Sequence, residues 1–270
     1  MLMLLVGPLL PLIGWRQLWV ASAIVSGGCA VLLAVRAPAV SRNPAAVGTN
    51  FLTDAASVVR DRHCVTLAFA FFAYSCQIFS MAFALPLLLT STHGLAIGYA
   101  GLLSAAVLAV STAGHVASGF LLRAGVPIWA NIAAAFVGFA IASFGVYSGA
   151  LPPSAVATVA ALALGIGGLA PGALYAAAPR AAPNPRTVPS TIGLLQQASN
   201  LGQFTGPVAL GLWVDHFGWA AAPTIVTPMA LIGLTAAIAV RGFMRKTLDD
   251  QMTPTERALA LSHPEPADVR

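Results

Sequence analysis

The sequence predicts an all-α fold: a polytopic membrane protein built as a helical bundle, with about seven full transmembrane helices and a partial one at its start. Three observations carry this. Hydrophobic residues make up 58% of the 270 and charged residues only 8%, against about 25% charged in a water-soluble domain. With a mean hydropathy of +0.85, the chain has too little charge to coat a globule in water. Apolar runs of spanning length recur along it, and Lys and Arg collect in alternate loops between them. The net charge of +5 is therefore read through its placement, not as a nucleic-acid footprint.

A span needs ~20 mainly apolar residues, because a helix rises 1.5 Å per residue through a ~30 Å core. Seven runs meet that length: Trp15–Val35, Cys64–Thr90, Ile97–Leu122, Ile128–Gly149, Ser154–Ala178, Pro189–Val214 and Trp219–Val240. The Pro and Gly residues inside them are tolerated where neighbouring helices satisfy the freed backbone groups. Met1–Ile13 is apolar but short, about 20 Å as a helix, and holds Pro8 and Pro11. No basic segment precedes it, as a signal peptide requires. It is expected to be the outer end of a helix that starts earlier.

The loops set orientation. One side collects Arg36, Arg42, Arg60, Arg62, Arg123, Arg180, Arg186, Arg241, Arg245 and Lys246, whereas the other has only Arg16. The basic side should face the cytoplasm of a plasma membrane, placing loop 36–63 and the C-terminus inside. Within that loop, Phe51, Ala55 and Val58 share a helical face, which predicts a short helix lying on the membrane surface. The tail, 242–270, lacks a sustained apolar stripe and is expected to be disordered. A hint of repetition joins the ends: a Gly-Pro followed by a Gly-Trp that opens a span occurs at Gly7–Trp15 and again at Gly206–Trp219.

The segment LLQQASNLGQFTGP (Leu194–Pro207) carries four side-chain amides through an apolar run. At 100° per residue Gln196, Asn200 and Gln203 form one stripe, continued by Pro207, while Gln197 sits to one side. Leu194, Ala198, Leu201, Phe204 and Val208 occupy the broad opposite side and suit lipid. An unpaired amide in hydrocarbon costs roughly 2–7 kcal/mol, so the stripe must face protein or water. It is either interhelical glue or the wall of a cavity for a polar solute; three amides in one row favour the cavity. The adjacent stripe Ser199, Gly202 and Gly206 has the small-residue spacing of close helix packing.

Other polar positions are sparser. Gly101, Ser104, Ser111, His115 and Ser118 share a face of the Ile97–Leu122 span, interrupted by Leu108. His115 is the one ionisable side chain of the His, Asp, Glu, Lys and Arg group well inside a span; it either touches a solute or proton, or bonds a carbonyl. Tyr74, Gln77 and Met81 share a face at mid-depth. Tyr74 and Gln77 are candidates to meet the amides across a cavity. GIGGLAPGALY (Gly165–Tyr175) matches a loose dinucleotide pattern, but without a βαβ setting that pattern has no force, and close packing is expected. Cys29, Cys64 and Cys76 show no paired spacing, so neither a disulfide nor a metal framework is predicted. No nucleophile–base pair, metal cluster or cofactor motif is visible, and the chain is not read as an enzyme.

The stretch GLLQQASNLGQFTGPVALGLWVDHFGW, the Gly-Trp-Arg at 14–16, the long basic central loop and the six spans after it resemble the C-terminal part of a major facilitator superfamily transporter. GFLLRAGVP (Gly119–Pro127) is similar to that family's short cytoplasmic loop, though without its acidic residue and with shorter spacing. The resemblance implies that residues 1–35 are the end of the N-terminal half, 36–63 the central loop and 64–241 the six-helix C-terminal half. It also implies alternating-access transport of a small solute, past a cavity lined in this half by the helices carrying Tyr74, Gln77, His115, Gln196, Asn200 and Gln203. A coupling ion such as a proton belongs to that picture. Three forms stay open: a truncated transporter, a half that works only with a second half or a second copy, and a seven-span sensor or scaffold without transport.

Overall fold

The computed structural model describes residues 2–36 and 51–251; the predicted loop residues 37–50 and the tail beyond Gln251 lie outside the described residues. The chain divides into two compact units, Met1–Phe51 and Leu52–Arg270. The first holds one helical stretch, α1 (Leu2–Arg36), interrupted at Gly14, where φ is 72° and ψ 160°. A Cβ disfavours that backbone, so the position suits glycine. The short apolar start is thus a separate helical piece, and the spanning portion is Gly14–Arg36.

The second unit contains α2 (Phe51–Arg60), α3 (Arg62–Ser91), α4 (Ile97–Arg123), α5 (Ile128–Tyr147), α6 (Pro153–Gly167), α7 (Leu169–Ala181), α8 (Val188–Phe217) and α9 (Pro223–Gln251). No strand occurs among the described residues. Six stretches there are long and apolar enough to cross a membrane: Gly14–Arg36, α3, α4, α5, the α6–α7 pair as one crossing, and Trp219–Arg245. The fold is a multi-pass membrane helical bundle. The seventh predicted run, α8, matches α3 in length at 30 residues. Its four amides set it apart from the six.

The central helix is α3, which packs on α8, α9, α4 and α7. It begins where the Asp61 side chain accepts from the backbone N–H groups of His63 (2.8 Å) and Cys64 (3.0 Å), satisfying donors that a helix start leaves unpaired. Leu67, Leu85 and Leu88 of α3 are fully buried in the core together with Phe136, Phe139, Leu164 and Leu174 of α5, α6 and α7. The α6–α7 crossing is jointed at Gly168, and glycines make the joint. A Cβ on Gly114 of α4 would overlap the Gly165 carbonyl oxygen and lie 2.9 Å from Gly168 Cα. The glycine-rich run at 165–172 therefore lets two backbones touch. Ser118 donates to the Leu169 carbonyl beside it (2.8 Å).

One end of this unit gathers the basic residues. The Cys64 thiol reaches the Ala181 carbonyl (3.3 Å) and the Thr191 hydroxyl (3.6 Å). The His63 ring lies 4.6 Å from Phe243, and the Arg241 guanidinium sits 4.6 Å over Trp129. These contacts bring together the starts of α3, α5 and α8 with the ends of α7 and α9, and with them Arg62, Arg180, Arg186, Arg241 and Arg245. They also explain why α9 runs on to Gln251 where the sequence suggested a disordered tail from 242: Phe243 is buried against the bundle and holds the extra turns. In α2, Val58 is buried and Ala55 half-buried, whereas Leu52 and Val59 are exposed.

At the opposite end Trp219 stacks on Tyr147 (6.0 Å, 3° between planes) and donates to Ser91 (3.2 Å). It follows Gly218, whose φ of 78° and ψ of 167° nearly repeat those of Gly14. The two Gly-Trp pairs noted in the sequence thus share one backbone conformation at the start of a spanning segment.

Candidate functional site

The two adjacent stripes of α8 have different surroundings. Ser199, Gly202 and Gly206 are buried against α3. A Cβ on Gly202 would overlap the Phe72 carbonyl oxygen and lie 2.9 Å from Ser75 Cβ, and one on Gly206 would collide with the Cys76 backbone. Ser75 and Ser199 share a hydrogen bond of 2.8 Å across the seam, and Cys76 and Thr205 are 3.5 Å apart.

The amide stripe lies beside that seam, turned outward. Gln196, Gln197 and Asn200 are exposed and Gln203 is half-buried. Tyr175 of α7 donates to Gln196 Oε1 (2.6 Å). Gln196 Nε2 donates to Asn200 Oδ1 (3.1 Å). Gln203 Nε2 is 3.4 Å from both Asn200 Oδ1 and the Ser199 hydroxyl. The row therefore runs Tyr175–Gln196–Asn200–Gln203 and reaches the buried serines. Among the described residues, Asn200 Nδ2 and Gln203 Oε1 have no partner. The row thus keeps one free donor, on the exposed Asn200, and one free acceptor, on the half-buried Gln203. The next strip around the helix holds Leu201, Phe204 and Val208, exposed at 57%, 70% and 47%.

The other candidates are placed differently. Tyr74 is buried, its ring 6.0 Å from Phe71 and 6.2 Å from Phe139. It connects to the amide row only through aromatic neighbours, since Phe71 also meets Tyr175 edge-on at 5.3 Å. Gln77 is buried and turned to α9, donating from Nε2 to the Val226 carbonyl (3.3 Å); its Oε1 has no partner among the described residues. So Tyr74 and Gln77 lie inside the bundle, and no contact brings them to the amides. His115 is exposed on α4, while Ser111 and Ser118 of its predicted face are buried. Sequence reasoning missed Tyr175. It lies in an Ala-rich stretch on another helix, and spacing within α8 carries no information about it.

No known family model matches the chain, and no curated protein matches it.

Proposed function

We propose that the chain acts in secondary active transport of a small polar solute, as part of a transporter of the major facilitator type. In this reading the row Tyr175–Gln196–Asn200–Gln203, exposed at Gln196 and Asn200 and half-buried at its ends, lines one wall of the solute path. The supporting observation is the row itself. Its amides bond to one another and to Tyr175, which holds their orientation, yet Asn200 Nδ2 and Gln203 Oε1 stay open toward the exposed side. A solute carrying one donor and one acceptor, such as an amide, a polyol or an amino acid, fits that pair. No charge is contributed at the contact, so recognition there rests on neutral hydrogen bonds. His115, exposed on α4, is the local candidate for a proton if one is coupled. In this proposal the basic end faces the cytoplasm of the plasma membrane.

The test is uptake in vesicles reconstituted with the full chain, screened with labelled solutes of those classes. Asn200→Ala should raise the half-saturating concentration of the transported solute about 3–10-fold, the range expected for one net hydrogen bond, while assembly stays intact. Unchanged kinetics would return the row to a packing role. A second reading follows from the exposure of Gln196, Gln197 and Asn200. A second copy or a separate half would cover them, because amides do not face hydrocarbon cheaply. Disulfide cross-linking between chains through Asn200→Cys would favour that form, and a solely monomeric species in lipid would exclude it.

A further inference from the structure

The flank of α8 opposite the amide row borders a cavity between α3, α8 and α9, of about 110 Å³. Gln203 and Thr205 make the division plain. They are two positions apart, roughly 200° around a helix, and Thr205 lines the cavity while Gln203 belongs to the row. Most of the wall is apolar, with Phe72, Leu210 and Met229 prominent. Its polar side chains are the hydroxyls of Ser80 and Thr205 and one amide, that of Gln77. Gln77 lines the cavity and is only 4% exposed. Its Nε2 must face the Val226 carbonyl, which can only accept. That fixes the amide's orientation and leaves Oε1 as a buried acceptor with no partner among the described residues. Ala209 is exposed and also lines the cavity, so that side is open. Gln77 lies near the middle of α3, which spans Arg62–Ser91, so the cavity is at mid-depth.

We propose that this cavity is a binding site for a small, compact apolar molecule bearing one hydrogen-bond donor, of the alcohol or phenol class, distinct from the solute path. The donor bonds Gln77 Oε1, and the apolar body fills the space along Phe72, Leu210 and Met229. At about 110 Å³ the space is smaller than the roughly 150 Å³ cavity that holds benzene in another protein, so a single ring fits only with part of its edge in the open side. A molecule without a donor leaves the buried carbonyl oxygen unsatisfied, so the site discriminates by a hydroxyl. A site built around a hydrogen bond rejects the analogue that lacks it more strongly than a purely apolar site does.

The test uses 4-fluorophenol and fluorobenzene as probes, followed by fluorine NMR on the full chain in lipid nanodiscs. Empty nanodiscs measure partition into lipid. Saturable binding of 4-fluorophenol above that background is expected, weakened about 3–10-fold by Gln77→Leu and removed by Ala209→Trp, which fills the open side. Fluorobenzene should bind the unaltered protein more weakly than 4-fluorophenol. Equal binding of the two probes in the unaltered protein, or binding indistinguishable from lipid partition, would overturn the proposal, and neither comparison depends on a variant that folds. Solute uptake should be insensitive to Ala209→Trp; failure of the transport reading would leave the probe result standing.

Discussion

Gly206→Ala tests the close approach of α8 to α3 with the smallest possible change. The added methyl would collide with the Cys76 carbonyl oxygen and lie 2.8 Å from its carbonyl carbon, where ordinary contact begins at 3.4 Å. Both atoms are backbone, so no side-chain rotation relieves the clash. The helices must part by roughly half an ångström or more, which also stretches the 2.8 Å bond between Ser75 and Ser199. Overpacking of this kind costs about 1–3 kcal/mol. Alanine also stabilises a helix interior over glycine by about 0.5–1 kcal/mol, which would mask part of the loss. Gly211→Ala removes that ambiguity, because no atom lies within 4 Å of its added methyl and the propensity gain is the same. The difference between the two variants is then the packing cost alone. For a unit of this size it corresponds to about 2–12 °C in Tm, readable by thermal unfolding in a mild detergent with tryptophan fluorescence. If the two variants melt within a degree of each other, the backbone contact at Gly206 does not exist as described.

Asp61→Ala removes the acceptor that binds the N–H groups of His63 and Cys64 and should cost about 1 kcal/mol; Asp61→Asn should recover most of it in the same unfolding assay. Tyr175→Phe deletes the donor to Gln196 Oε1 and should lower solute affinity about as much as Asn200→Ala, with the Tm changed by only a few degrees; an unaltered affinity would remove Tyr175 from the path. Trp219→Phe loses the bond to Ser91 while keeping an aromatic partner for Tyr147, and should cost about 0.5–1.5 kcal/mol; equal stability would show that the Ser91 bond contributes nothing.

The spans were legible because each depends on local quantities. Length and hydropathy find α3, α4 and α5 within a few residues of their observed ends. The joint at Gly168 was not legible, since its close approach to Gly114 on α4 is a contact between residues far apart in sequence. The extension of α9 beyond 242 was missed for the same reason: its anchor is Phe243 against His63, and the two are far apart in sequence. Within the site, helical spacing separates the amides from the small-residue seam, a purely angular result. Spacing does not say which way a face turns once helices assemble. Tyr74 and Gln77 look equivalent to the amides by depth and polarity, yet α3 is central and its faces are covered. Both side chains therefore point into the bundle, while α8 and α4 present Asn200 and His115 outward.

The surroundings of α8 make the case for two different media. Leu201 and Phe204 on one side, and Gln196 and Asn200 on the next strip, are all exposed. Lipid satisfies the first pair without cost. It cannot satisfy Asn200 Nδ2 or Gln203 Oε1, which find no partner among the described residues even after the row has bonded within itself. If hydrocarbon covered both strips, a single helix would carry several kcal/mol of unsatisfied polar groups, more than the ~0.6 kcal/mol typical of an interhelical hydrogen bond returns. Water, a solute or another polar surface must therefore meet the amides while lipid meets Phe204. Cysteine substitution separates these directly. Asn200→Cys should react with a charged, membrane-impermeant thiol reagent in intact vesicles, and Phe204→Cys should not. If both remain unreactive, a protein surface covers the row and no open path runs along it; if both react equally, α8 does not border lipid at all.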